Sequence, residues 1–292
     1  MIIDQNGQRW FKGNLHTHTT ITDGTRSPDD VIALYAAAGY DFLALTDHWH
    51  VSEADNRQGL LLLSGCEYDV GSNPRQGIFH IVGIGMEHKP DIMRNQLVSA
   101  QLFIDQITAA GGLPILAHPA WSLETPEQIS GLRGLAAVEI YNSVSDLPHN
   151  ARPYSGLLID LLALSGMILP CVAADDSHFY DGEETKSFIM VRSPACTRKA
   201  LLTAIRQGDF YATQGPQIDL KIKEDTAEVI CSPAERIVFY SDAVWSGHRS
   251  FSGHGITSAV YALLNNEHFV RVEVTDDQGR TAWSSPISRV QS

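Results

Sequence analysis

The chain has 292 residues, of which 43% are hydrophobic, and a formal net charge of −13. That length suits one large α/β domain, or a large domain with a small companion. The diffuse acidic balance excludes tight binding to long nucleic acid, which needs many Lys/Arg–phosphate contacts. It leaves room for a small anionic substrate if metal ions supply positive charge locally. Four cysteines, Cys66, Cys171, Cys196 and Cys231, show no C-x-x-C spacing and argue against a disulfide framework. Residues 1–10 lack an apolar signal core, and the apolar run 161–174 is too short to span a bilayer. The expectation is a cytoplasmic protein without membrane contact.

Up to about residue 210, apolar runs alternate with helical patterns. Strands are predicted over 14–17, 42–46, 61–67, 78–85, 113–118, 136–141 and 167–173. Helices are predicted over 27–38, 92–110, 154–164 and 197–207. Ser27 is an N-cap candidate, Pro28 suits the first helical position and Gly39 the position just past the end. Strands alternating with helices indicate parallel βα units, and seven of them point to a closed or nearly closed barrel. After Tyr211-Ala212-Thr213-Gln214-Gly215-Pro216 the pattern changes to short alternating stretches at 219–223, 228–231, 236–240, 260–264 and 269–274. Asp277-Gln278-Gly279 is a turn signal, with 280–283 beyond it. The expectation is a 1–215 α/β domain followed by a small β-sandwich over 216–292, packed against it.

Six histidines and three carboxylates stand where metal ions would need them. The densest stretch is Asn14-Leu15-His16-Thr17-His18, followed by Asp23. Then come Thr46-Asp47-His48, Cys66-Glu67, His80, Ala117-His118-Pro119 and Asp176-Ser177-His178. His16 and His18 share one face if their segment is extended. His48, Glu67, His118, Asp176 and His178 each follow an apolar run, at the carboxyl ends of predicted strands, where barrel active sites are built. His80 opens its run instead, so it must arrive from the strand's beginning or from an antiparallel direction. Imidazoles with carboxylates and no thiolate suit Zn, Mn or Fe in a hydrolytic centre rather than a structural zinc site. Nine ligands are too many for one ion. They suit two or three divalent ions bridged by Glu67 or Asp176, which can acidify a shared water.

Over about residues 10 to 215 these motifs resemble the polymerase-and-histidinol-phosphatase (PHP) superfamily of metal-dependent hydrolases. The resemblance rests on Gly13-Asn14-Leu15-His16-Thr17-His18-Thr19, Asp23-Gly24, Thr46-Asp47-His48, Glu67, His80, His118-Pro119 and Asp176-Ser177-His178. It implies a distorted (β/α)7 barrel with a two- or three-metal site. It also implies that His16, His18, Glu67 and Asp176 hold one ion, that Glu67, His80 and His118 hold a second, and that Asp23, His48 and His178 hold a third. Asp23 stands where some members have histidine. Asp175-Asp176-Ser177-His178-Phe179, the stretch 208–216 and the β-rich tail are similar to a branch containing carbamate and ester hydrolases as well as phosphoesterases.

The resulting functional expectation is hydrolysis of a small phosphate mono- or diester by metal-activated water, with His178 or Asp176 moving the proton. Two alternatives stay open: a hydrolase of a carbamate, ester or amide, and a non-catalytic protein stabilised by its metals. Phosphate recognition usually recruits Arg or Lys. Arg26, Arg57, Arg75, Lys186 and Arg192 are the loop cations at hand, with Arg75 and Lys186 nearest the motifs in sequence. Asn142, at a strand end, is a further candidate for substrate contact, and Trp49 and His50 are candidates for the pocket lining.

Overall fold

The computed structural model describes residues 1–4, 7–94 and 98–289. Its first part runs β1 (Ile2–Ile3), β2 (Arg9–Asn14), α1 (Pro28–Ala37), β3 (Phe42–Ala44), β4 (Asp55–Arg57), β5 (Leu60–Leu63), β6 (Gly65–Asn73), β7 (Gly77–Ile84), α2 (Ala100–Ala109) and β8 (Leu113–Leu116). There follow α3 (Pro126–Ser130), β9 (Ala137–Asn142), α4 (Gly156–Leu164), β10 (Cys171–Ala174), β11 (Phe188–Arg192), α5 (Arg198–Gln207) and β12 (Phe210–Thr213). The tail holds β13 (Ile218–Ile222), β14 (Thr226–Ser241), β15 (Ser250–Ala262), β16 (Phe269–Thr275), β17 (Thr281–Trp283) and β18 (Ile287–Ser288).

Local signals set the helix ends. The Ser27 side chain accepts from the Asp30 amide, Pro28 opens α1, and Gly39 takes φ +74° just beyond it. Thr197 caps α5 and left-handed Gly208 ends it. The helix predicted from residue 92 starts only at Ala100, where Ser99 accepts from the Leu102 amide; the 95–97 part of that expectation lies outside the described residues.

The strands form two sheets. The larger runs β13-β14-β16-β17-β12-β11-β2-β3-β5-β4, and the smaller runs β10-β9-β8-β7-β6. β2, β3 and β5 are parallel, as are β8, β9 and β10. Between them the expectation of parallel units fails. β6 and β7 form an antiparallel hairpin, and β7 also runs antiparallel to β8. Gly71 (φ +98°) and Gly77 (φ +96°) make that hairpin possible: a Cβ on Gly71 would stand 2.2 Å from the Gly77 carbonyl oxygen. Among the described residues, hydrogen-bonded ladders do not close the sheets into one barrel. Isolated parallel bridges join them at one end, Thr17 to Ser177 and His48 to Glu67.

The tail strands continue the larger sheet. β17 pairs with β12 (Ala212 opposite Trp283), which carries the larger sheet from the N-terminal strands into the C-terminal ones. One apolar cluster likewise runs from Val31 and Tyr35 of α1 through Tyr211 to Phe239 and Val272. The stretches predicted separately at 228–231 and 236–240 are one strand, β14. Its register shifts between Ile230 and Ala234, around Pro233, so the proline sits at an irregularity of the ladder and the strand continues past it. Trp283 also stacks on Tyr141 of β9 at 5.2 Å.

Arg271 of β16 is fully buried at this junction. Its guanidinium donates to both Asp160 oxygens of α4 (2.6 and 2.9 Å) and pairs with Glu273, and Tyr240 lies 4.2 Å beneath it. Removing one member of a buried ion pair leaves its partners uncompensated. Arg271→Ala should therefore lower unfolding stability by about 3 kcal/mol or more in urea titrations; a loss within the range of surface substitutions would show that the junction is held by other contacts.

Candidate metal centre

The end of the molecule where the two bridges join the sheets carries the predicted ligands. β2 stops at Asn14, earlier than expected, so His16 and His18 lie beyond the strand. Their segment is nevertheless held extended on both sides. Thr17 bridges to Ser177, its carbonyl accepts from the Thr46 amide and its amide donates to Thr46 Oγ1. Both imidazoles thus face one point, with Nε2 atoms 3.2 Å apart. Glu67 does not end the 60–63 strand as expected; it is the third residue of β6, in the other sheet. His80 arrives on antiparallel β7, one of the two approaches its position in the apolar run allowed.

Glu67 is 1% exposed and sits among five imidazoles. Oε2 lies 3.3 Å from His16 Nε2, 3.1 Å from His18 Nε2 and 3.3 Å from His48 Nδ1. Oε1 lies 2.8 Å from His80 Nδ1 and 3.4 Å from His118 Nε2. Asp176 Oδ1 stands 3.2 and 3.1 Å from His16 and His18 Nε2. Asp23 Oδ2 stands 3.6 Å from both His48 Nε2 and His178 Nε2. Three overlapping groups result: His16, His18, Glu67 and Asp176; His48, Glu67 and His80; and His18, Asp23, His48 and His178. All nine predicted ligands converge. His48 takes a place in the second group, beside which His118 stands.

These separations fit cation ligands. Two donors each about 2.1 Å from one ion stand about 3.0 Å apart at a right angle and about 3.4 Å apart at the tetrahedral angle. The principal contacts fall mostly in that range. Several buried atoms here, His18 Nδ1, His48 Nδ1 and Asp176 Oδ1, also have no hydrogen-bond partner in the protein. Orphaned polar atoms in a dry pocket are costly unless an ion completes them. Electrostatics point the same way. Burial disfavours charge on His16, yet Asp176, Glu67 and Glu139 outweigh it and raise the imidazole well above its ordinary value. Burial likewise works against the Glu67 carboxylate, and His16 and His80 hold it well below the usual range. The pocket draws positive charge. Backbone strain clusters here too: His118 (φ +28°), Asp176 (φ +52°) and, beside ligands, Trp49 (φ +57°) are non-glycine residues at positive φ.

The supporting residues were partly missed from sequence. Glu139 of β9, 1% exposed, lies 2.8 Å from His16 Nδ1. Its other oxygen accepts from the His118 amide and from Asn142 Nδ2, both at 2.8 Å. Asn142 in turn donates to Asp176 Oδ2 at 3.1 Å. Asn142 is fully buried, so it braces the candidate ligands instead of opening to a substrate. Asp69, two residues after Glu67 on the same strand face, lies 3.4 Å from His48 Nδ1 and accepts from Trp49 Nε1 at 2.7 Å. Asp175 accepts from the amides of Thr185, Lys186 and Ser187 and from Tyr35 Oη; burial raises its carboxyl to about 6. Spacing along a strand was the available signal for Glu139 and Asp69.

Among the predicted substrate cations, Arg75 and Lys186 bond through their main-chain amides, to Asn73 and Asp175. Arg57 pairs with Asp29, Arg192 pairs with Asp209, and Arg26 lies over the Tyr180 ring. Trp49 packs on Tyr68 and Phe103, and His50 is exposed.

Fold and donor set together describe an α/β protein with clustered His, Asp and Glu side chains that could hold metal ions. Over 98% of both chains it superposes, with TM-score 0.54 and 15% identity, on a two-domain protein from Bacteroides vulgatus containing a predicted PHP-like metal-dependent phosphoesterase. The PHP resemblance is borne out at the level of the fold. An amidohydrolase from Chromobacterium violaceum (19% identity, 59% of this chain and 89% of that one, TM-score 0.46) overlaps more loosely. So does a protein from Bifidobacterium adolescentis proposed to be a metal-dependent phosphoesterase (14%, 57% and 87%, TM-score 0.42). No protein-family model and no curated protein matches the chain.

Glu139→Gln should weaken binding of divalent metal by about ten- to a hundredfold, because an outer partner fixes ring orientation and ligand basicity; unchanged affinity in a metal titration would remove Glu139 from the centre. Glu124, on the loop after His118, is 6% exposed and neither carboxylate oxygen has a partner. Burial raises its carboxyl well above the ordinary value, so the folded state keeps a proton that the unfolded chain releases first. Its contribution to stability is full at low pH and is lost as pH rises above the ordinary carboxyl range. Glu124→Gln should therefore raise the melting temperature at neutral pH and leave it nearly unchanged at pH 4; equal shifts at both would contradict this.

Proposed function

We propose that the chain is a metal-dependent phosphoesterase acting on a small phosphate mono- or diester. The observation that carries this reading is the Glu67 carboxylate, dry and ringed by five imidazoles, with orphaned donor atoms around it. We read the two bridged sheets as an opened form of the (β/α)7 barrel. His16, His18, Glu67 and Asp176 would hold one ion, Glu67, His80 and His118 a second, and Asp23, His48 and His178 a third. Two or three such ions, of Mn, Zn or Fe, would supply an acidified water and polarise the phosphoryl group.

The chain's own residues do the rest. The bridges and Glu139 hold the donors at fixed separations, so little reorganisation is needed when a cation enters. His178 Nδ1 lies 2.7 Å from the Asp176 carbonyl, which fixes the proton on Nδ1 and leaves Nε2 free toward Asp23. That Nε2 is suited to act as a ligand or to take a proton, and Asp176 is suited to bridge. With no described Arg or Lys paired into the pocket, anion binding falls to the cations themselves. The substrate is accordingly a small anionic molecule. A carbamate, ester or amide substrate is the second reading, and the pairing of Arg57 with Asp29 and of Arg192 with Asp209, away from the candidate ligands, is the observation that favours it.

Purified chain loaded with Mn, Zn or Fe should hydrolyse p-nitrophenyl phosphate or its bis ester. Chelator should abolish the activity and added metal restore it. Glu67→Gln should lower kcat/KM by more than about a hundredfold, since losing a ligand is worse than losing a ligand's outer partner. Turnover of p-nitrophenyl acetate or an aryl carbamate alone would replace the phosphoesterase reading with the second one.

A further inference from the structure

Around the candidate metal centre stand two exposed aromatic rings that the fold does not use for its core. Trp121 is 36% exposed and Phe179 is 49% exposed. Trp121 lies edge-on to His118 at 4.9 Å, and Phe179 lies 6.2 Å from the His178 ring. Each therefore borders a candidate ligand, Trp121 on the segment after β8 and Phe179 on the segment after β10. Both are also fixed in orientation. Trp121 Nε1 donates to Asn150 Oδ1 at 3.0 Å. Phe179 stacks on His149 at 4.1 Å with an interplanar angle of 21°, and His149 Nε2 is anchored 2.8 Å from Asp181. Adjacent residues of one loop, 149 and 150, thus hold both rings. That loop is itself tied down, since the Asn150 amide donates to the Asp146 carbonyl and the Asn142 amide to the Pro153 carbonyl.

A lone exposed apolar residue is ordinary on a protein surface. Two rings, each bordering a metal-ligand candidate and each held by a directional contact from the same loop, form a built wall. Rigid rings lose little freedom on binding and favour flat apolar partners. The two rings offer an uncharged surface for recognition beyond the metal-bound group.

We propose that Trp121 and Phe179 are specificity-determining residues that receive a flat aromatic group attached to the metal-bound end of the substrate. The proposal rests on the phosphoesterase reading only for the choice of an anionic metal-binding end. The substrate class it names is an aryl or arylmethyl ester rather than a sugar or short alkyl ester.

The test separates binding from turnover. Full-length protein loaded with Mn or Zn is titrated calorimetrically with benzylphosphonate and with propylphosphonate, neither of which can be hydrolysed. The two share the metal-binding group and differ in the ring. The expected result is about tenfold tighter binding of benzylphosphonate, the amount an aromatic pairing typically provides. That ratio should fall toward one in Trp121→Ala and in Phe179→Ala. It should persist in Trp245→Ala, which removes a distant exposed ring as a control. Metal content and far-UV spectra are matched across variants, and Phe179→Leu, which keeps apolar bulk but no ring, decides the matter if either alanine variant does not fold. Equal affinities in the unaltered protein, a preference that survives both substitutions, or no binding of either phosphonate overturns the proposal. Failure to turn over phosphate esters, with the binding preference intact, would instead count against the phosphoesterase reading alone.

Discussion

Everything at the functional end of this protein depends on how one carboxylate is surrounded. Glu67 is held in a nearly water-free position with imidazoles from four separate segments within 3.4 Å. Uncompensated, a buried negative charge is expensive. Here the surrounding rings can offset it only by carrying positive charge, as protons or as shared cations. The local geometry follows from that requirement. Strand ends, bridges and strained backbone at His118 and Asp176 all bring donor atoms to within one coordination polyhedron of Glu67.

A second layer converts this cluster from a collection into a constellation. Glu139 touches His16, the backbone of His118 and, through Asn142, Asp176. Asp175 gathers the amides of 185–187 next to Asp176. Neither carboxylate has to meet a cation itself. Their work is to remove freedom from the residues that do, which is how a site on loops reaches the precision of one built on strands.

The candidate ligands stood out in the sequence because their chemistry is unusual: paired histidines and carboxylates at the ends of apolar runs pack poorly in a core and suit cations well. Helix ends at Ser27, Gly39, Thr197 and Gly208 were legible for a similar reason, since capping and left-handed φ restrict residue choice. The antiparallel β6–β7 hairpin was not, because buried strands of either direction share the same apolar composition. The stretches 228–231 and 236–240 read as two strands, although an irregular register around Pro233 joins them in β14. The supporting carboxylates were hidden for a different reason. Glu139 and Asp69 look like ordinary strand residues until the neighbouring strands are in place. For Arg75 and Lys186, closeness in sequence does not fix where a long side chain on a loop is drawn, and the contacts seen are those of their main-chain amides. Asn142 was correctly singled out, but its partner is Asp176 rather than a ligand from solution.

The strand order has a consequence for how the molecule comes into being. β2, which leads into the first two histidines, is paired on one side with β11, some 180 residues later, and β11 is joined through β12 to β17, near the end of the chain. Contacts of such long sequence separation form slowly. His16 and His18 are therefore locked only once β11 and the strands paired beyond it are in place. The histidine-rich segment is thus assembled late in folding, when strands distant in sequence have already paired.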